Sequence, residues 1–180
     1  MRRVGYTDAG LEELLGAARL PKGSFYNYFP GKEAFAVEVV EAFYAWHDRV
    51  LAELAVAEGA PRERLQRYFE LLLEATRSAP PEEWGCLLAV LALEKSATSE
   101  PLRAAVVRSF ARWQERVAEL VRQAQAAGEL PPGEDAGRLG ALLLNGWEGA
   151  LLRARLERAR WPLEDWLAVG LPRLLGSPGT

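Results

Sequence analysis

Pro21-Lys22-Gly23-Ser24-Phe25-Tyr26-Asn27-Tyr28-Phe29-Pro30-Gly31-Lys32-Glu33 is the stretch of this 180-residue chain on which the reading turns. Phe25 and Phe29 are four apart, so on a helix they share one face, and their bulk marks that face as buried. Lys22, Ser24, Tyr26, Asn27 and Tyr28 put donors on the exposed side, and Gly23 lets the backbone approach another surface closely. Pro30 cannot continue a helix with normal hydrogen bonding. Gly31 then offers a small N-cap for the helix that restarts at Lys32-Glu33.

Working upstream, Leu11, Leu14, Leu15 and Ala18 predict a helix over about 8–17. With the helix at 22–28 it makes a helix-turn-helix, a motif that places its second helix in the DNA major groove. Downstream, turn punctuation separates further segments with helical spacing. A long helix is expected over 32–56, with Phe35, Val39, Ala42, Trp46, Val50 and Leu54 as its inner stripe. Others are expected over 62–77, from Pro81 or Glu82 to 95, over 99–127, over 134–159, and from Trp161 to 175. Strand signals are almost absent. The expected fold is all-α, with a helix-turn-helix head at 1–44 on a helical ligand-binding and dimerisation body at 45–180.

Composition sets the remaining bounds. There is no run of 18 apolar residues, so no spanning helix is expected. No basic-then-apolar leader precedes a cleavage site, and the cytoplasm is the expected location. One Cys and one His argue against a disulfide framework and a structural zinc site. No cofactor is expected. The net charge is −3, yet residues 1–32 hold five basic side chains against three acidic ones. That is a net of +2, leaving −5 for the rest. A mildly basic head on an acidic body is compatible with DNA binding.

The motif Lys22-Gly23-Ser24-Phe25-Tyr26-x-Tyr28-Phe29-Pro30-x-Lys32-Glu33-Ala34-Phe35, with Gly5-Tyr6 before it, resembles the signature of the TetR family of one-component transcriptional repressors. A second patch, Gly85-Cys86-Leu87-Leu88 through Glu94 to Pro101-Leu102-Arg103, is similar to the branch that regulates responses to reactive electrophiles and small organic acids. The resemblance implies that Lys22, Gly23, Ser24 and Tyr26 face base edges while Asn27, Tyr28 and Lys32 hold phosphates. Lysine and hydroxyls suit purine acceptors, and a lysine at a helix start reinforces an anion site. Family members carry a full helix before the Gly-Tyr pair, whereas only Met1 to Val4 precede it here. The expectation is therefore a start upstream or a truncated chain, with one wall of the Leu11, Leu14, Phe25 and Phe29 core missing. Ala9 stands where the family has a Ser or Thr N-cap. Arg19 stands at a turn position often held by glycine, where a positive φ costs roughly 1 kcal/mol.

In the body, Phe43, Trp46, His47, Tyr68, Leu72, Cys86, Phe110, Trp113 and Trp147 are candidates to line an apolar cavity with a few polar groups. Ordinary core is the rival reading for each. Cys86, near a helix start, invites a sensor reading, but cysteine is more often a small buried hydrophobe. Leu139, Leu142, Leu143, Gly146, Ala150 and Arg153 in one helix, and Leu163, Trp166, Leu167, Leu171 and Leu174 in the next, are candidates for a dimer surface. Two such helices from each chain make an isologous four-helix bundle. Enzyme readings fare badly, since the single His has no serine or acid partner in sequence and no glycine-rich phosphate loop exists. The expected function is a dimeric repressor on a palindromic double-stranded operator, released by a small, mostly apolar effector and without membrane association. The alternatives are a helical carrier of an apolar molecule that does not bind DNA, and a helical adaptor.

Overall fold

Proline, glycine and a few side-chain caps divide the chain into helices. The computed structural model describes residues 1–17, 19 and 21–176, apart from the side chains of Ala17 and Lys22. Ala18, expected to point inward, and the Lys22 side chain thus lie outside the described residues. The helices are α1 Leu11–Ala17, α2 Lys22–Tyr28, α3 Lys32–Val56, α4 Pro61–Ala75, α5 Leu87–Lys95, α6 Glu100–Ala126 and α7 Ala136–Glu157. α8, Trp161–Asp165, runs through a π segment at Trp166–Gly170 into α9, Leu171–Leu175. Among the described residues there is no strand, and no helix is long and apolar enough to cross a membrane.

Helix ends leave backbone groups unpaired, and side chains answer several of them. Arg64 Nη1 donates to the Leu54 and Ala55 carbonyls at 2.9 and 2.8 Å, closing α3. The Arg62 N–H at the start of α4 donates to Glu129 Oε2 at 2.8 Å. The Asp135 carboxylate accepts from the Arg138 N–H at 2.8 Å and starts α7. The Trp84 indole donates to the Thr76 and Ala79 carbonyls. That buried tryptophan explains one departure from expectation. Residues 81–95 are not one helix but a 3₁₀ turn at Pro81–Glu83, an extended Trp84 and then α5.

The described residues fall into two compact units, and the division lies inside α3 and inside α6. The first comprises Met1–Ala45 with Cys86–Phe110, so α5 groups with the helix-turn-helix although the sequence reading assigned it to the body. Its core is aromatic. Phe25, Phe29 and Phe35 stand with ring centroids 5.2–5.6 Å apart. α1 begins one turn later than expected, with the Gly10 carbonyl accepting from Leu14, while Ala9 is buried rather than an N-cap. Arg19 does adopt a positive φ, +54°. The buried stripe of α3 is Ala36, Val40, Tyr44, His47 and Leu51, one position round from the expected one. α3 is apolar on two adjacent faces, and apolar spacing alone does not say which is the inner one.

The second unit comprises Trp46–Gly85 and the chain from Ala111 onward. One hydroxyl joins three of its helices. Trp113 Nε1–H donates to the Tyr68 hydroxyl at 2.5 Å, and that oxygen is 2.8 Å from His47 Nδ1. Indole is only a donor, so the Tyr68 oxygen accepts from it, and the tautomer of the neutral imidazole sets the direction of the second bond. Beside this lies a second cluster in which Phe69, Trp147 and Trp166 pack with centroids 4.7–5.8 Å apart.

That second cluster revises the expected dimer surface. Leu139, Leu143, Leu163 and Leu171 are core residues of the unit. Gly146 lies against Trp166 within the same chain. A Cβ there would lie 2.3 Å from Trp166 Nε1, so the glycine exists to admit that indole. Leu142 and Arg153 are exposed and Ala150 and Leu167 half-buried, as a surface role requires. The π segment has a geometric purpose. At about 100° per residue, Leu163 and Leu171 on a straight α-helix would point about 80° apart. The extra residue, marked by the Leu171 N–H bonding to the Trp166 carbonyl, brings both into the core with Leu175.

Two outcomes follow from this core. Burial pushes the His47 imidazole down from 6.5 to about 4, so between those values the unfolded chain takes up a proton that the folded one refuses. Stability therefore falls as pH drops below 6.5, by about 2 kcal/mol at pH 5. Urea unfolding at pH 7.5 and 5 should show this loss in the wild type, and His47→Asn should lack that share of it. Gly146→Ala should cost about 1–3 kcal/mol by overpacking against Trp166, read as a lower urea midpoint at unchanged slope.

Candidate nucleic-acid interface

α2 is short and is held from behind. Phe25 is buried, and its ring meets Phe29 and Phe35. Anchoring one face turns the others outward. Tyr26 is 55% exposed and Tyr28 80%. Gly23 and Asn27 are exposed as well, and Ser24 is half-buried. A Cβ on Gly23 would meet nothing within 4 Å, so the surface beside it is open. Two tyrosines, an amide and a bare backbone stretch thus share one small projecting helix. Such a surface suits phosphate and base-edge contacts, because hydroxyl, amide and backbone N–H groups all donate there. The Phe29 N–H donates to the Phe25 carbonyl, and extended backbone at Phe29 ends the helix before Pro30.

Lys32, the first residue of α3, is tied to the segment ahead of α1. Its ammonium donates to the Tyr6 carbonyl and, at 3.4 Å, to the Thr7 carbonyl. It also lies 4.4 Å from the centre of the Tyr6 ring. Lys95, at the end of α5, lies 5.0 Å from the same ring. Glu94 accepts from the Tyr6 and Thr7 N–H groups. Partial burial, and then the charge of Glu33, push the Tyr6 phenol up, so it stays protonated. Sequence reasoning singled out Lys32 but not Glu94 or Lys95 as its neighbours. No local pattern links positions 88 residues apart.

The nine candidates for an effector cavity divide between the two units. Phe43, Cys86 and Phe110 belong to the first unit, and the other six to the second. Phe43 lines a groove of about 230 Å³ with Met1, Leu14, Phe35, Val39 and Leu87, and Arg2 also lines it. Cys86 is buried at the N-cap of α5. In the second unit His47, Tyr68 and Trp113 bond to one another, while Leu72 and Trp147 are buried. Trp46 is 39% exposed, with its ring edge-to-face against His47 at 4.9 Å. His47 is buried and neutral, not the partly exposed residue that a lone histidine suggests. Among the described residues no group of three or more His, Cys, Asp or Glu side chains is placed to hold a metal ion.

Residues 61–168 match the family model described as "Tetracyclin repressor-like, C-terminal domain". The chain is 40% identical over 164 residues to the transcriptional regulator AcuR of Cereibacter sphaeroides, covering 90% of this chain and 74% of that protein. It is 33% identical over 174 residues to the HTH-type transcriptional repressor DhaR of Mycobacterium sp. strain GP1, covering 96% and 85%. Among solved structures, a regulatory protein TetR from Rhodobacter sphaeroides superposes with a TM-score of 0.88 at 36% identity, covering 97% of this chain and 92% of that one. The all-helical fold is thus shared along nearly the whole chain. A family match over more than half the sequence and relatives that are themselves regulators lead to one assignment: the chain belongs to the TetR family of DNA-binding transcriptional regulators, and it is not an enzyme.

Proposed function

We propose that this protein is a dimeric repressor that binds a palindromic operator through α2 and releases it when a small, mostly apolar molecule enters the second unit. The observation that carries the DNA reading is the outward face of α2. Gly23, Tyr26, Asn27 and Tyr28 are exposed on a helix whose only large apolar side chains face a phenylalanine cluster. Lys22 and Ser24 complete the base-facing set, and Lys32 the phosphate-facing one.

The dimer reading rests on α7. Leu142, Asn145, Gly149, Leu152 and Leu156 are all exposed and spaced alternately by three and four residues. That is the spacing of a seam between two helices. Leu152 is 64% exposed and Leu156 81%, values that leave large apolar side chains in water unless a second chain covers them. Trp161, Val169 and Leu174 add apolar surface in the next helical stretch. At the end of α7, Arg153 pairs with Glu157 at 2.7 Å and its guanidinium stacks 4.8 Å from the Trp161 ring. An isologous contact along this seam gives the two-fold symmetry that a palindromic site mirrors.

The effector reading rests on the Tyr68 hydroxyl and its two partners. A small molecule with one polar group can compete for that hydrogen bonding, while its apolar part lies against Trp113, Leu72 and Trp147. α3 carries His47 in its second half and Lys32 at its first residue, so the helix is a covalent path from one to the other.

Two measurements test these statements. A duplex selected by the wild-type protein from a random-sequence pool should bind with a steep salt dependence. Tyr28→Ala and Lys32→Ala should each weaken every duplex by about 1–2 kcal/mol, while Lys22→Ala should change which sequences are selected. Failure of the pool to yield any duplex would leave the apolar-carrier reading in possession. In sedimentation, the wild type should run near twice the chain mass of 19.9 kDa. Leu152→Asp with Leu156→Asp should give a folded monomer, and a double mutant that stays dimeric would place the interface elsewhere.

A further inference from the structure

We propose that Glu94 is a positioning residue for DNA binding. From the last turn of α5 it holds the backbone of Tyr6 and Thr7, and through that backbone it sets the Lys32 ammonium at the start of α3. The proposal rests on the reading of Lys32 as a phosphate contact.

Two residues of chain are gripped on both sides. Glu94 Oε2 accepts from the Tyr6 N–H at 2.9 Å and from the Thr7 N–H at 2.8 Å. The carbonyls of the same two residues accept from Lys32 Nζ. An anion thus holds the donors and a cation the acceptors, and hydrogen bonds to charged groups are the strong ones. An ammonium has three protons. With two directed at these carbonyls, the direction of the third is set by where Tyr6 and Thr7 lie. The Tyr6 ring adds a further restraint, since Lys32 and Lys95 both lie within 5.0 Å of its centre.

Gly5 shows that the site is built around the carboxylate. Its φ is +83°, and a Cβ there would fall 1.9 Å from Glu94 Oε1 and 2.8 Å from Cδ. The Gly5 N–H donates to the Met1 carbonyl at 2.7 Å, which closes the turn that presents Tyr6 and Thr7. Glycine is needed twice, once for the backbone and once for the space. All of these residues lie in the same compact unit.

A carboxylate beside a phosphate-binding lysine is unfavourable for binding a polyanion, and this gives the test its sign. If Glu94 is only a nearby charge, Glu94→Gln removes repulsion and DNA binds as well or better. If Glu94 positions Lys32, the same variant binds worse. The measurement is the affinity of wild type, E94Q, K32A and the E94Q/K32A double variant for one duplex, selected by the wild type from a random pool, over a range of salt. E94Q should bind about tenfold more weakly. The slope of log affinity against log salt should also be shallower by about 1, as in K32A, and no shallower in the double variant. Equal or tighter binding by E94Q, or weaker binding at the wild-type slope, would overturn the proposal.

Gly5→Ala is the second variant, because its methyl group would displace the carboxylate without changing any charge; it should reproduce the E94Q slope. Amide exchange in the absence of DNA gives an independent reading. Glu94→Ala should lose protection at Tyr6 and Thr7 while α6 and α7 keep theirs, and retained protection at both would overturn the bracket itself. A wild type that selects no duplex from the pool would instead sink the DNA-binding reading, an outcome distinct from any result with E94Q.

Discussion

The Tyr68 hydroxyl is the one polar atom on which the second unit depends. It lies on α4, accepts from Trp113 on α6 and shares a hydrogen bond with His47 on α3. A buried hydroxyl without partners is costly, and satisfied networks in low dielectric rigidify what they join. Three helices of quite different length are therefore registered at one oxygen. The apolar cluster of Phe69, Trp147 and Trp166 then brings in α7 and the segment after α8, with Gln114 donating to the Gly137 carbonyl and Arg62 to the Gly176 carbonyl.

The first unit solves a different problem with different means. α2 is seven residues long, too short to hold its shape alone. Three phenylalanines fix its inner face, and its polar side chains are left free of structural duty. The segment before α1 has no helix of its own among residues 1–7 and is held instead by charge, between Lys32 and Glu94. Hydrophobic burial positions the exposed face of α2, and charged hydrogen bonds hold the segment ahead of α1.

Much of this was legible in the sequence. α2 and α3 begin and end where Pro21, Pro30 and Gly31 say they should, and the all-helical class follows from spacing and turn residues alone. The expected α3 stripe is one position off because α3 is apolar on two adjacent faces, Phe35, Val39 and Val50 on one and Ala36, Val40 and Leu51 on the other, and spacing alone does not say which is inner. Leu139, Leu143, Leu163 and Leu171 looked like surface for a partner because both faces of α7 and its successor are apolar. Only packing tells which face is inner, and it leaves Leu152 and Leu156 outside. Glu94 was unreadable for another reason. Its partners are backbone N–H groups, which have no letter in the sequence.

The π segment at Trp166–Gly170 has a consequence for how the end of this chain is compared with its relatives. Because one extra residue is stored there, the helical halves on either side keep a common inner face that no uninterrupted count of residues reproduces. Removing one of Leu167, Ala168 or Val169 would leave Leu163 and Leu171 seven positions apart, about 20° from a common direction on an uninterrupted α-helix, so both would keep their inner face without the π segment. Homologous chains with a residue more or less here are best paired by their buried leucines, with the gap placed between Trp166 and Gly170.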